Sequence, residues 1–267
     1  MHTTRRRIST ALVLGLMSAT GAGAFALISV DQEIAIGREA QVEARKKVPQ
    51  LRDGAVTRYV EQLGRQLAAH AGGPDYPYSF TVADKADLNA FALPGGPVWV
   101  HRGILEAARD ESQLAGVMAH EIAHVAQRHA ADQLTKATVA NGLLGLLGSV
   151  LDGRGKGEAA TRVGAGVATQ MMFLKFSRDD EREADRVGAE IMRRAGWDPR
   201  GMPEFFEVLD AQQKRSPGSV ATFLSTHPNP KSRAAELRGV VQPGGRRTSE
   251  GFQSMKSRLG PTQLTRR

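Results

Sequence analysis

The sequence contains no cysteine among its 267 residues. A disulfide framework, a thiolate zinc site, a cysteine nucleophile and a lipidated N-terminal cysteine are all excluded, so any metal must be held by histidine and carboxylates. No internal repeat is present, and hydrophobic residues make up an ordinary 41%, which points to neither a collagen-like nor a disordered class. Long apolar runs are scarce as well. After residue 30, the run Thr138 to Leu151 (TVANGLLGLLGSVL) has 14 residues, short of the roughly 20 that a bilayer-spanning helix needs. It reads as a buried or mobile helix or, in the sharper reading, as a hydrophobic lid or a surface resting on lipid or a partner.

The chain carries an excess of positive charge in total, but the excess sits at its two ends and the body between is close to balanced. Of the formal +8, Arg5, Arg6 and Arg7 supply three charges. The segment after Gln242, with Arg246, Arg247, Lys256, Arg258, Arg266 and Arg267 against Glu250, supplies a net five. The residues between are near neutral, and a nucleic-acid partner is not expected. Residues 241–267 are expected to form a basic, flexible, solvated tail that can touch anionic lipid headgroups.

Residues 1–30 have the layout of a targeting segment. The three arginines precede an uncharged stretch from Ile8 to Val30, and Ala24 and Ala26 fit an A-x-A cleavage signal. An uncleaved anchor is the alternative, since 23 uncharged residues are long enough to span a bilayer. In both cases the bulk of the chain is expected in the periplasm or elsewhere in the cell envelope.

Helical spacing is found over 31–47 and 54–70, and alternation over 78–82 and 97–101, the latter behind the turn Pro94-Gly95-Gly96. Further helices fit 158–176, 178–195, 203–214 and 230–240, with Pro203 and Pro230 in first-turn positions. Short strands followed by a helix-rich remainder imply an α+β domain.

The chemistry is concentrated in His120-Glu121-Ile122-Ala123-His124, an HExxH pattern. Asp110 caps the predicted helix that carries it, with Gln113 three residues later as in a capping box. Histidines four apart share one helical face and can grip one metal ion, and the intervening Glu121 is placed as general base beside a metal-activated water. A catalytic zinc usually takes three protein ligands. Gln127 and Ala130 stand where HExxHxxGxxH would need Gly and His, so the third ligand is sought elsewhere, and His129 reads as an exposed helical histidine. His70 and His101 read as structural. The acidic stretch Ser177 to Asp185 places Glu181 and Asp185 four apart on one face. One can bind metal while the other accepts a hydrogen bond from a ligating histidine.

With these residues in place, the chain resembles the zinc metallopeptidase family that includes HtpX and the CAAX prenyl proteases, in its soluble periplasmic, BepA-like branch. The resemblance is carried by Asn89 to Gly96, Leu114 to His124, Ser177-Arg178 through Glu181 to Asp185, Gly196-Trp197-Asp198-Pro199, and Thr226-His227-Pro228 with Arg233. These stretches occur in order across residues 31–240, which are expected to be the metallopeptidase domain. The chain lacks the apolar spans of the multi-span members, and it ends near residue 267 without the helical repeats of that branch, so partner choice that depends on those repeats does not carry over.

The resemblance implies a zincin-type fold, mainly helical with a small antiparallel sheet beside the HExxH helix. It also implies one Zn2+ per chain, with Glu181 as third ligand and Asp185 as its outer partner. Asn89, Ala90, Phe91 and Ala92 are expected along the cleft, where an edge strand could pair with unfolded or extended polypeptide substrates. His227, in a stiff Thr-His-Pro-Asn-Pro turn, is expected either to stabilise the oxyanion or to occupy the open coordination position at rest. The implied activity is a zinc-dependent endopeptidase degrading misfolded or stalled envelope proteins. The alternative is a latent peptidase acting as a chaperone-like assembly factor.

Overall fold

The computed structural model describes residues 28–140 and 174–259. Most of the expected targeting segment, all but the first residues of the apolar run 138–151, and nearly all of the helix expected over 158–176 lie outside the described residues.

Helix α1 (Val30–Lys47) starts at Ser29, whose hydroxyl accepts the Gln32 N–H while the Gln32 side chain accepts the Ser29 N–H. This reciprocal cap satisfies two donors that a helix start otherwise leaves free. Asp53 caps α2 (Gly54–Ala68), which buries Val56, Val60, Leu63 and Leu67 along one stripe. Three strands follow, β1 (Ser79–Ala83), β2 (Ala90–Ala92) and β3 (Pro97–His101), in the sheet order β1-β3-β2. All five residues of β3 are buried, as expected of a central strand covered on both faces.

The sheet is mixed, which corrects the expectation of an antiparallel one. β2 and β3 form an antiparallel hairpin across the turn expected at Pro94-Gly95-Gly96, with Phe91 opposite Trp99. β1 pairs parallel with the other edge of β3, Phe80 opposite Val98. The reason is the order of the elements. β2 lies between β1 and β3 in the chain, so the path from β1 to β3 reverses twice and the two run the same way.

Helix α3 (Arg102–Ala107) leads into α4 (Glu111–Ala126), the HExxH helix, in which every residue is buried. Asp110 accepts the Gln113 N–H at 3.0 Å, and the Gln113 side chain accepts the Arg109 N–H at 3.0 Å, so the return bond lands one residue ahead of the cap. Packed around α4 are the sheet, α2, α6 (Arg178–Arg194) and α7 (Gly201–Arg215). The helices come close because Gly116 lies against Met202 of α7, and Gly188 of α6 against the backbone of Ala119 and His120. Arg128, with φ of 60°, turns the chain from α4 into α5 (His129–Ala140). After a short 3-10 turn (Pro217–Ser219) come α8 (Ala221–Thr226) and α9 (Pro230–Arg238). Among the described residues, no helix is long and apolar enough to cross a membrane.

Residues 246–259 also depart from expectation, being folded onto the domain rather than flexible and solvated. Helix α10 (Glu250–Leu259) buries Phe252 and Met255. Arg247 bridges Asp110 at 3.0 Å and Glu204 at 3.0 Å, Arg246 lies over the Trp197 ring at 4.4 Å, and Arg258 pairs with Asp53 at 2.9 Å. Lys256 donates to the carbonyls of Leu105, Glu106 and Ala108, at the C-terminal end of α3. These cations are spent on internal partners, so counting charge alone misjudges the segment.

Candidate metal centre

His120, Glu121 and His124 lie in the middle of α4 with at most 2% of their surface exposed. Helical spacing turns both imidazoles to one side, and their Nε2 atoms face each other at 3.0 Å. Helix α6 supplies the carboxylates. Its Ser177 cap fixes the first turn, and the buried stripe Glu181, Ala184, Asp185 and Gly188 faces α4. Because Gly188 has no side chain, α6 comes close enough for Glu181 Oε1 to lie 3.5 Å from His124 Nε2 and Oε2 to lie 3.7 Å from His120 Nε2. Asp185 Oδ1 takes the other side of the first ring, 3.0 Å from His120 Nδ1.

The connection between α8 and α9 brings in a fourth group. His227 ends α8, and Asn229, with φ of 59°, adopts the left-handed turn that starts α9 at Pro230. His227 Nδ1 is 2.9 Å from Glu181 Oε1 and 3.3 Å from His120 Nε2, while its Nε2 is 3.6 Å from Glu121 Oε1. One ligand atom from each of His120, His124, Glu181 and His227 lies within 4.8 Å of the others, all in a buried setting.

Arg233 of α9 holds the carboxylates from behind. Its guanidinium makes a fork on Asp185, at 2.8 and 2.5 Å, and reaches Glu181 Oε2 at 2.5 Å. The Phe206 ring backs it at 4.3 Å. The contact with Glu181 is an ion pair without hydrogen-bond alignment, and Glu181 Oε2 and Glu121 Oε1 are buried without a hydrogen-bond donor. Two imidazole nitrogens turned on each other, a carboxylate oxygen without a donor and a third imidazole fit a divalent ion of borderline softness such as zinc.

At His124, Glu181 and Asp185 the electrostatics suit such an ion. Burial keeps the His124 imidazole well below its usual pKa, hence neutral and able to donate a lone pair. Burial alone would push Glu181 up, but His227 and Arg233 outweigh it and hold this carboxyl well below its usual range. Asp185 likewise stays ionised, because Arg233 overcomes its desolvation. For His227, burial is outweighed by Glu181 and Glu121, and the imidazole is pushed up.

One reading from sequence needs revision. His129 is buried rather than exposed, with Nδ1 2.9 Å from His124 Nδ1. Its Nε2 is 3.4 Å from Glu183. His101 has a partner, Asp87, at 3.0 Å. Asn89, Ala90 and Phe91 are buried and Ala92 is partly buried, with Phe91 stacked on Trp99 at 5.9 Å. β2 is an edge strand, and among the described residues Ala90, Phe91 and Ala92 have no backbone hydrogen bonds outside their ladder with β3. Sequence reasoning gave no role to Phe176, which stacks on the His124 ring at 4.0 Å, or to Phe206.

Comparison with known proteins gives a consistent picture. The sequence model of peptidase family M48 matches residues 55–241. The chain is 36% identical over 260 residues to the beta-barrel assembly-enhancing protease of Escherichia coli strain K12, covering 92% of this chain and 53% of that protein. It is 34% identical over 251 residues to the protein of the same name from Yersinia pestis, covering 91% and 51%. It is 33% identical over 181 residues to the mitochondrial metalloendopeptidase OMA1 of Schizosaccharomyces pombe, covering 68% and 52%. The chain thus spans about half the length of the curated relatives it matches.

Proposed function

The chain belongs to peptidase family M48, and from that premise we propose that it is a zinc-dependent endopeptidase of the cell envelope. The observation that carries this reading is the convergence of His120, His124 and Glu181 beside a Glu121 oxygen that lacks a hydrogen-bond donor. When bound, the ion supplies Lewis acidity, polarising the scissile carbonyl and making water acidic enough to attack near neutral pH. His120, His124 and Glu181 hold it, and Asp185 fixes the His120 ring through Nδ1. Glu121 accepts the water proton during attack and returns it to the leaving amine.

Unfolded or locally extended polypeptides are the proposed substrates. The edge position of β2 supports this, because an extended chain can add to such an edge through main-chain hydrogen bonds, with little dependence on its side chains. A role in clearing misfolded or stalled envelope proteins agrees with the relatives' printed name, which ties them to β-barrel assembly. Contact with a membrane surface is proposed for the apolar run 138–151. The same role for the basic end carries less support, because Arg246, Arg247, Lys256 and Arg258 already have partners.

One observation favours a latent variant of this reading. The His227 imidazole stands among the three other ligand candidates, where it could fill the position that a catalytic ion keeps open. In that state the chain would serve as a chaperone-like assembly factor until a substrate displaces the loop. The test is zinc content together with casein hydrolysis by the full chain, comparing wild type, Glu121→Gln and His227→Ala. One zinc per chain in wild type and Glu121→Gln, with hydrolysis reduced ~10²–10⁴-fold in the latter, is expected. Equal hydrolysis by these two would overturn the peptidase reading. A faster His227→Ala enzyme means a resting-state ligand, a slower one means a transition-state contact, and an unchanged rate removes both roles.

A further inference from the structure

We infer that His129 and Glu183 form a relay that orients His124 as a metal ligand. The inference deepens the proposed metal centre and rests on it. His120 has a carboxylate, Asp185, on its outer nitrogen. Among the described residues, no carboxylate touches the outer nitrogen of His124, whose Nδ1 meets His129 Nδ1 at 2.9 Å.

Proton placement follows from the geometry. Nε2 of His124 points into the ligand group, so as a ligand it carries a lone pair and the proton sits on Nδ1. That N–H can be received only if His129 Nδ1 bears a lone pair. The His129 proton then belongs on Nε2, which faces Glu183 Oε2 at 3.4 Å. The carboxylate at the end fixes the tautomer of His129, which fixes the tautomer and ring angle of His124.

The surroundings enforce this order. His129 is 4% exposed, so water does not compete for the His124 proton, while Glu183 is half-exposed and needs no buried counter-charge. The Phe176 ring lies on the His124 face at 4.0 Å with an interplanar angle of 26°, leaving the in-plane bond to His129 as the lateral constraint on that imidazole. The left-handed Arg128 sets this up by turning the start of α5 back towards α4. His129 acts on His124, and Glu183 on His129. They are positioning residues.

The experiment is a chelator-competition titration of zinc on the full chain, together with visible spectra of the cobalt-loaded form and thermal unfolding of the metal-free form. The variants are His129→Leu, His129→Asn and Glu183→Ala. Asn keeps an acceptor oxygen near the place of Nδ1, and Leu does not. Zinc affinity should fall by roughly ten- to a hundredfold in His129→Leu, with an altered cobalt spectrum. His129→Asn should recover most of the affinity, and Glu183→Ala should lose a smaller part while unfolding at the wild-type temperature without metal. Wild-type zinc affinity in His129→Leu, or equal losses in the Leu and Asn variants with none in Glu183→Ala, would overturn the relay. If His129→Leu does not fold, the half-exposed Glu183→Ala decides alone, since unchanged affinity and spectrum there remove the relay's outer half. Failure of the wild-type chain to bind zinc is a separate outcome, which sinks the metal centre and the relay with it.

Discussion

Arg233 is the residue on which the ligand geometry depends most, although no ligand pattern names it. It is 4% exposed and compensates two buried carboxylates, Glu181 and Asp185, while its face is covered by Phe206. Removing one partner from a buried ion pair costs about 3–5 kcal/mol, because the remaining charge stays desolvated. Arg233→Met keeps most of the volume and deletes the charge, so the metal-free chain should lose about that much stability in urea unfolding. Saturating zinc should return part of it, because the ion supplies the positive charge that Glu181 has lost. Equal losses with and without zinc would mean that Glu181 does not face the ion. The HExxH pair could be read from sequence because its spacing is internal to one helix. Glu181 and Asp185 could be read because their own spacing is helical as well. His129 could not, because its burial depends on a left-handed turn at Arg128 and on Glu183, 54 positions further along.

At the scale of elements, the site exists because three helices approach closely through glycines. A Cβ at Gly116 would stand 2.7 Å from Met202 Cα and 2.9 Å from Met202 N, which are backbone atoms that cannot rotate aside. Two effects oppose each other in Gly116→Ala. Alanine gains about 1 kcal/mol in helix propensity, and overpacking costs typically 1–3 kcal/mol. With contacts this short the upper end applies, so the variant should be destabilised by about 2 kcal/mol. Because α7 carries Phe206, which backs Arg233, zinc should also bind more weakly. An alanine variant as stable as wild type would show that the crossing can open without cost. Helix limits were predictable within a few residues, since apolar spacing, Asp110, Ser177 and Pro230 all act locally. The parallel pairing of β1 with β3 was not, because local alternation says nothing about the direction of a partner reached after an intervening strand.

Taken whole, the domain is closed by a segment beyond the stretch that the family model matches, which ends at residue 241. Residues 246–259 touch α4 through Arg247 and Asp110, α7 through Glu204, α3 through Lys256 and α2 through Arg258 and Asp53. The signal in the sequence was Phe252 and Met255, three apart on one helical face, but it was outweighed by the density of charge and small residues around it. Full burial of a Phe or Met side chain contributes roughly 1.5–3 kcal/mol, so the pair is worth about 3–6 kcal/mol. Exposed ion pairs add little to that sum, whereas the Arg247 bridge also fixes Asp110, the cap of the HExxH helix. A chain stopped after Val241 should therefore unfold at markedly lower urea than the full chain, with a loss of about 3–6 kcal/mol. Phe252→Ala in the full chain should reproduce about half of it. Arg247→Ala should cost less in stability than Phe252→Ala, since its partners are part-exposed, yet it should weaken amide-exchange protection in the first turn of α4. Unchanged stability on truncation would return the segment to a mere appendage, and unchanged protection in Arg247→Ala would separate it from the helix that carries the site.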